Sequence, residues 1–78
     1  LTGSIAQVMP GADVFIGLGC LLYEGVTIGS DAVIGHQCTL ERGVKIGEGA
    51  VVRPFTHVPK GTVVPDGAKY PPAEALRP

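Results

Sequence analysis

The chain has 78 residues, a formal net charge of −1, 12 glycines, 7 prolines, no tryptophan and two residues each of Phe and Tyr. That is one domain at most, and a globular core of this size would bury only ~60% of the unfolded surface. Six Lys and Arg form no basic run and carry no aromatic stacking platform, which argues against nucleic acid as a partner. No apolar stretch approaches the ~20 residues of a membrane span, so no membrane partner is expected, and no signal-peptide or lipidation pattern is present. The start at Leu1 rather than Met suggests a processed product or an excised domain. Because 45% of residues are hydrophobic, the chain does not read as disordered. Many tight turns around an aliphatic core reconcile the glycine content with that hydrophobicity.

In chain order, Val8, Pro10 and Val14 open a weak repeat. From Ile16 the repeat is strict: Ile16, Leu22, Ile28, Ile34, Leu40, Ile46, Val52, Val58 and Val64 stand six apart and are all aliphatic. Two positions earlier the residue is small or β-branched, as in Cys20, Val26, Ala32, Cys38, Val44 and Ala50. Three positions earlier it is often glycine, as in Gly19, Gly25, Gly43 and Gly49. Residues two apart in a strand share a face, so the aliphatic and the small residue both point inward. Glycine then turns the chain, because it takes positive φ cheaply. Three six-residue sides close an 18-residue triangular coil, and successive coils stack ~4.8 Å apart as parallel strands. The expected fold is an all-β parallel β-helix over residues 1–70, with about three and a half coils between Val8 and Tyr70. Residues 71–78 form a Pro-rich tail, in which Ala73–Leu76 is expected to make one helical turn that caps the open end.

Three outward columns follow from the same register. They are Leu21–Thr39–His57, Thr27–Lys45–Val63 and Phe15–Val33–Val51–Lys69. The third sets Phe15, Val33 and Val51 in a row on the surface, and these residues are the expected oligomer interface. Glu24, Arg42 and Lys60 place opposite charges on adjacent coils, a surface ladder worth ~0–1 kcal/mol per pair. Cys20 and Cys38 stack in one inward column, but in-register side chains point the same way and suit a disulfide poorly. They are read as buried reduced thiols filling apolar space, which fits a cytoplasmic setting. His36 falls at a corner and His57 on a flat face. Each is either a solvated side chain or a chemical group, and imidazole is the side chain best matched to proton transfer near neutral pH.

The repeat of aliphatic, glycine, two variable residues, small residue and one variable residue resembles the bacterial hexapeptide-repeat transferase superfamily. The resemblance covers nearly the whole chain and implies a left-handed β-helix, typically assembled as a homotrimer. Within it, Ile28-Gly29-Ser30-Asp31-Ala32-Val33-Ile34-Gly35-His36-Gln37-Cys38-Thr39-Leu40 is similar to a stretch of bacterial sugar acetyltransferases of the sialic-acid and bacillosamine type. His36, Cys38 and Leu40 keep that spacing, while Gln37 stands where those enzymes have an acidic residue and Ser30 where they have Asn. The resemblance implies acetyl-CoA as the acyl donor, a small-molecule amine or hydroxyl as the acceptor, and His36 as the catalytic general base. No resident metal is expected. Two other readings stay open: a non-catalytic trimerising or structural β-helix module, and a metal site like that of the γ-class carbonic anhydrases, which gather three histidines where this chain has two.

Overall fold

The computed structural model describes residues 9–73 of the chain. Eleven two-residue strands are separated by four-residue corners. They are β1 (Met9–Pro10), β2 (Phe15–Ile16), β3 (Leu21–Leu22), β4 (Thr27–Ile28), β5 (Val33–Ile34), β6 (Thr39–Leu40), β7 (Lys45–Ile46), β8 (Val51–Val52), β9 (His57–Val58), β10 (Val63–Val64) and β11 (Lys69–Tyr70). Every third strand pairs in parallel, giving three sheets: β1-β4-β7-β10 (face 1), β2-β5-β8-β11 (face 2) and β3-β6-β9 (face 3). The register is an 18-residue offset throughout, as in Ile16↔Ile34, Leu22↔Leu40 and Ile28↔Ile46. The coil begins one strand upstream of the strict repeat, since Met9 pairs with Thr27. Most of the tail turn expected over Ala73–Leu76 lies outside the described residues.

The core is the set of inward columns. Ile34, Leu40, Val44, Val52 and Val58 are 0% exposed, and no core residue exceeds 6%. Fully burying one such aliphatic is worth about 1.5–3 kcal/mol. Like stacks on like, so each coil offers its neighbours a surface of matching shape. Among the described residues no polar or charged residue is buried, and backbone donors pair with carbonyls one coil away. Strand N–H groups donate toward the next coil, as Phe15 N–H does to the Ala32 carbonyl at 3.0 Å.

The corners explain the glycine column. Every sixth residue from Asp13 to Gly67 has a positive φ, the left-handed conformation that turns one side into the next. Six of these positions are glycine, with φ of 68° to 78°. Asp13, Asp31, Gln37 and Phe55 adopt the same conformation at 59° to 62°. Asp is among the residues that visit this region more readily, whereas a bulky aromatic there is a strained outlier. The N–H of each turn residue above the first coil donates to the carbonyl one coil below, for example Gln37 to Leu18 at 2.9 Å and Phe55 to His36 at 2.8 Å.

Candidate functional site

Of the three corners, the one joining faces 2 and 3 differs in chemistry. It comprises residues 17–20, 35–38 and 53–56, and none of these is acidic. By contrast Asp13, Asp31, Glu48 and Asp66 rise up the corner between faces 1 and 2. An anionic ligand is therefore repelled from that corner and, among the described residues, meets no carboxylate on the first, where Arg53 and His36 lie.

His36 follows β5 at this corner, and its side chain is exposed. Its Nδ1 accepts the Leu18 N–H at 2.9 Å, one coil below. The same clamp recurs at the corner between faces 1 and 2, where Ser30 Oγ accepts from Ala12 at 3.2 Å and Asp66 Oδ1 from Glu48 at 2.8 Å. A side-chain acceptor at this position thus satisfies a backbone donor that the strand ladder leaves out. Gly17 permits the approach, because a Cβ there would stand 2.7 Å from both the His36 backbone nitrogen and Nδ1. The consequence for His36 is chemical. A neutral ring whose Nδ1 accepts carries its proton on Nε2, so the outward nitrogen is a donor. Acting as a base at Nε2 requires the opposite tautomer and loss of the Leu18 bond.

Apolar side chains stand along this corner. The Phe15 ring meets it edge-on, with centroids 6.2 Å apart. Leu18 below is 74% exposed and Phe55 above is 79% exposed. Of the expected interface column, Phe15 and Val33 are exposed and Val51 is half-buried. Leu18 and Phe55 extend that column around the corner. Sequence reasoning passed over Phe55, although an aromatic standing in the glycine column was the visible signal.

Cys20 and Cys38 are both fully buried and reduced. The Cys20 thiol donates to the Gly35 carbonyl at 3.1 Å, and the Cys38 thiol to the Arg53 carbonyl at 3.0 Å. Burial pushes the Cys38 thiol above its ordinary value, and backbone hydrogen bonds from above oppose this. These thiols are packing groups beneath the corner and do not reach its surface. Arg53 Nε donates to the Pro71 carbonyl at 2.9 Å, which ties the start of the tail to the last coil.

His57, read from sequence as a face residue, lies on β9 as expected but has a partner that sequence reasoning missed. Its Nε2 is 2.7 Å from Glu41 Oε2, with side chains 60% and 32% exposed. The two are 16 residues apart, one coil less two, so Glu41, the first residue of the corner after β6, is a diagonal neighbour of His57 on β9. The ladder Glu24–Arg42–Lys60 stacks through its backbone, with Gly43 N–H on the Glu24 carbonyl and Gly61 N–H on the Arg42 carbonyl. Its side chains form no ion pair among the described residues. His36 and His57 do not belong to a larger donor cluster: among the described residues no three of His, Cys, Asp or Glu gather as metal ligands.

A parallel β-helix of six-residue sides, three sheets stacked around an aliphatic core, defines a class of repeat protein in which the coil is the scaffold. The bacterial transferase hexapeptide (six repeats) family matches residues 25–60, and the hexapeptide repeat of succinyl-transferase matches residues 11–36. The chain belongs to the hexapeptide-repeat transferase superfamily, and its coil is the left-handed parallel β-helix of that class. No curated protein and no solved structure matches it.

Proposed function

We propose that this β-helix is the catalytic module of an acyltransferase that moves an acetyl group from acetyl-CoA to an amine or hydroxyl on a small molecule. The observation that carries the reading is His36: an exposed imidazole on a carboxylate-free corner, fixed in one tautomer by the Leu18 N–H. Its outward Nε2–H is set to donate to the thioester carbonyl oxygen, where negative charge develops as the acceptor attacks. Phe15, Leu18 and Phe55 supply apolar surface that lowers the local dielectric once covered. A trimer provides that cover, with Phe15 and Val33 of one protomer against a second copy. The reading places the protein in the cytoplasm, where acetyl-CoA is made and thiols stay reduced.

The test is turnover by His36→Ala. Losing one oxyanion donor is expected to lower kcat by about 10²–10³-fold, with the mass in solution unchanged. Full activity in His36→Ala removes His36 from the chemistry. If the chain neither binds nor turns over acetyl-CoA yet stays a trimer, it is a structural module instead.

A further inference from the structure

The hydrogen bonds between coils follow one rule until the last coil. Every sixth residue from Gly11 to Arg53 donates its N–H to a carbonyl one coil above, at 2.7 to 3.1 Å. The next three members of that series are Pro59, Pro65 and Pro71, which follow β9, β10 and β11. Proline has no N–H to give. With 7 prolines in 78 residues, composition alone does not put three on successive members of one series. Their carbonyls are already engaged. Pro59 accepts the Thr62 N–H and Pro65 the Ala68 N–H, both at 3.1 Å, and Pro71 accepts Arg53 Nε–H at 2.9 Å. The change is steric as well. A Cβ at Gly47 would stand 2.5 Å from the Asp66 nitrogen, so each coil sits closely on the glycines of this column. Pro65, next in the same column, sets a pyrrolidine ring where a further coil would have to approach. β9, β10 and β11 end their sheets on this side, and Lys69 on β11 is exposed. Proline and lysine are the residues that edge strands carry where pairing stops.

We propose that this edge is a stop, at which the three prolines withhold from a second copy of the chain the hydrogen bonds it needs to continue the sheets head to tail. The opposite edge consists of β1, β2 and β3, which pair with no strand beyond them among the described residues. Both edges have the same three-sided outline, because every coil repeats the 18-residue register. A head-to-tail contact between them repeats without closing and produces a filament. Every junction of such a filament uses both edges, so closing one is enough to prevent it. The stop acts on assembly along the coil axis and is independent of the acyl-transfer reading.

The experiment restores the donors in the full 78-residue chain. Pro65→Gly supplies the residue its column carries at Gly11, Gly29 and Gly47, and Pro59→Ala keeps a Cβ, as Tyr23 and Glu41 do in the other column. Sedimentation at rising concentration is expected to hold the wild type at one mass. The double variant is expected to reach multiples of that mass with strand content by circular dichroism kept. Hydrogen exchange identifies the contact: the N–H groups introduced at positions 59 and 65 are expected to exchange about tenfold more slowly in the assembled form than in the dilute one. Pro54→Gly, in a corner but outside the series, is expected to keep the wild-type mass. A folded double variant that holds the wild-type mass overturns the proposal. So does head-to-tail growth of the wild type, or equal assembly of Pro54→Gly. If the double variant loses strand content, Pro65→Gly alone carries the same expectation and the same refutation.

Discussion

Phe55 concentrates the tension between folding and function in one residue. It stands in a column of turns that glycine fills most often, at φ 59°, and its ring is 79% exposed. Neither fact stabilises an isolated chain. A bulky residue in the left-handed region costs about 1–2 kcal/mol, and no burial offsets it in the monomer. Phe55→Asn is therefore expected to raise the stability of the monomer by about 1 kcal/mol while weakening self-association. Denaturation at several protein concentrations separates the two effects, and a variant that is both less stable and fully associated would contradict the strain argument. Cys38 makes a second prediction at this scale. Its folded thiol is held above the ordinary value of 9.0, first by desolvation. Below that value both folded and unfolded chains keep the proton, so the full stability is present. As pH rises past 9.0 the unfolded thiol ionises first, and stability falls. Thermal unfolding followed from pH 7 to 10 should show this decline in the wild type and a flatter profile in Cys38→Ala. These thiols were legible as buried fillers from the 18-residue spacing alone. The tautomer of His36 was not, because it depends on a backbone N–H that the coil leaves at the corner.

At the scale of strand and corner, the sequence was close to transparent. A two-residue strand has no stability of its own; it exists because the coils above and below complete its hydrogen bonds and cover its inward side chain. That dependence is what forced the strict six-residue column of aliphatics, and the column made the fold readable. Ile34 lies at the centre of its stack, between Ile16 and Val52, and is 0% exposed. Ile34→Ala is expected to cost about 2–5 kcal/mol, read by urea denaturation. A loss near the value for a surface change would mean that the coils collapse around the gap. What sequence did not reveal at this scale was the Glu41–His57 pair. Outward residues escape the periodic constraint, and their diagonal contacts depend on rotamers as well as on register. The positive-φ turns at Asp13, Asp31 and Gln37 were likewise hidden, since only the glycines of that column announce themselves.

At the scale of the whole molecule, charge and apolar surface divide by corner. Four carboxylates mark one edge of the prism; an imidazole, a guanidinium and exposed aromatics mark another. Some of these groups also clamp neighbouring coils, as His36 Nδ1 does with the Leu18 N–H and Asp66 Oδ1 with the Glu48 N–H. On the proposed reading, the division would give an anionic thioester donor one edge to approach and a second copy an apolar face to cover. Val33→Glu with Val51→Glu, both on the outside of face 2, is expected to reduce the proposed trimer to monomers in sedimentation while strand content by circular dichroism is kept. An intact trimer would place the interface on another face. The fold class was legible because every coil repeats it. For the candidate site the sequence offered His36 alone, through resemblance, because the outward positions are where the repeat is free to vary. The direct test of the account is calorimetric titration of the chain with acetyl-CoA, with the mass in solution recorded on the same sample. Saturable binding in proportion to the number of chains, on a trimer, is the result the account predicts. A stable trimer that takes up no acetyl-CoA at millimolar ligand would contradict it.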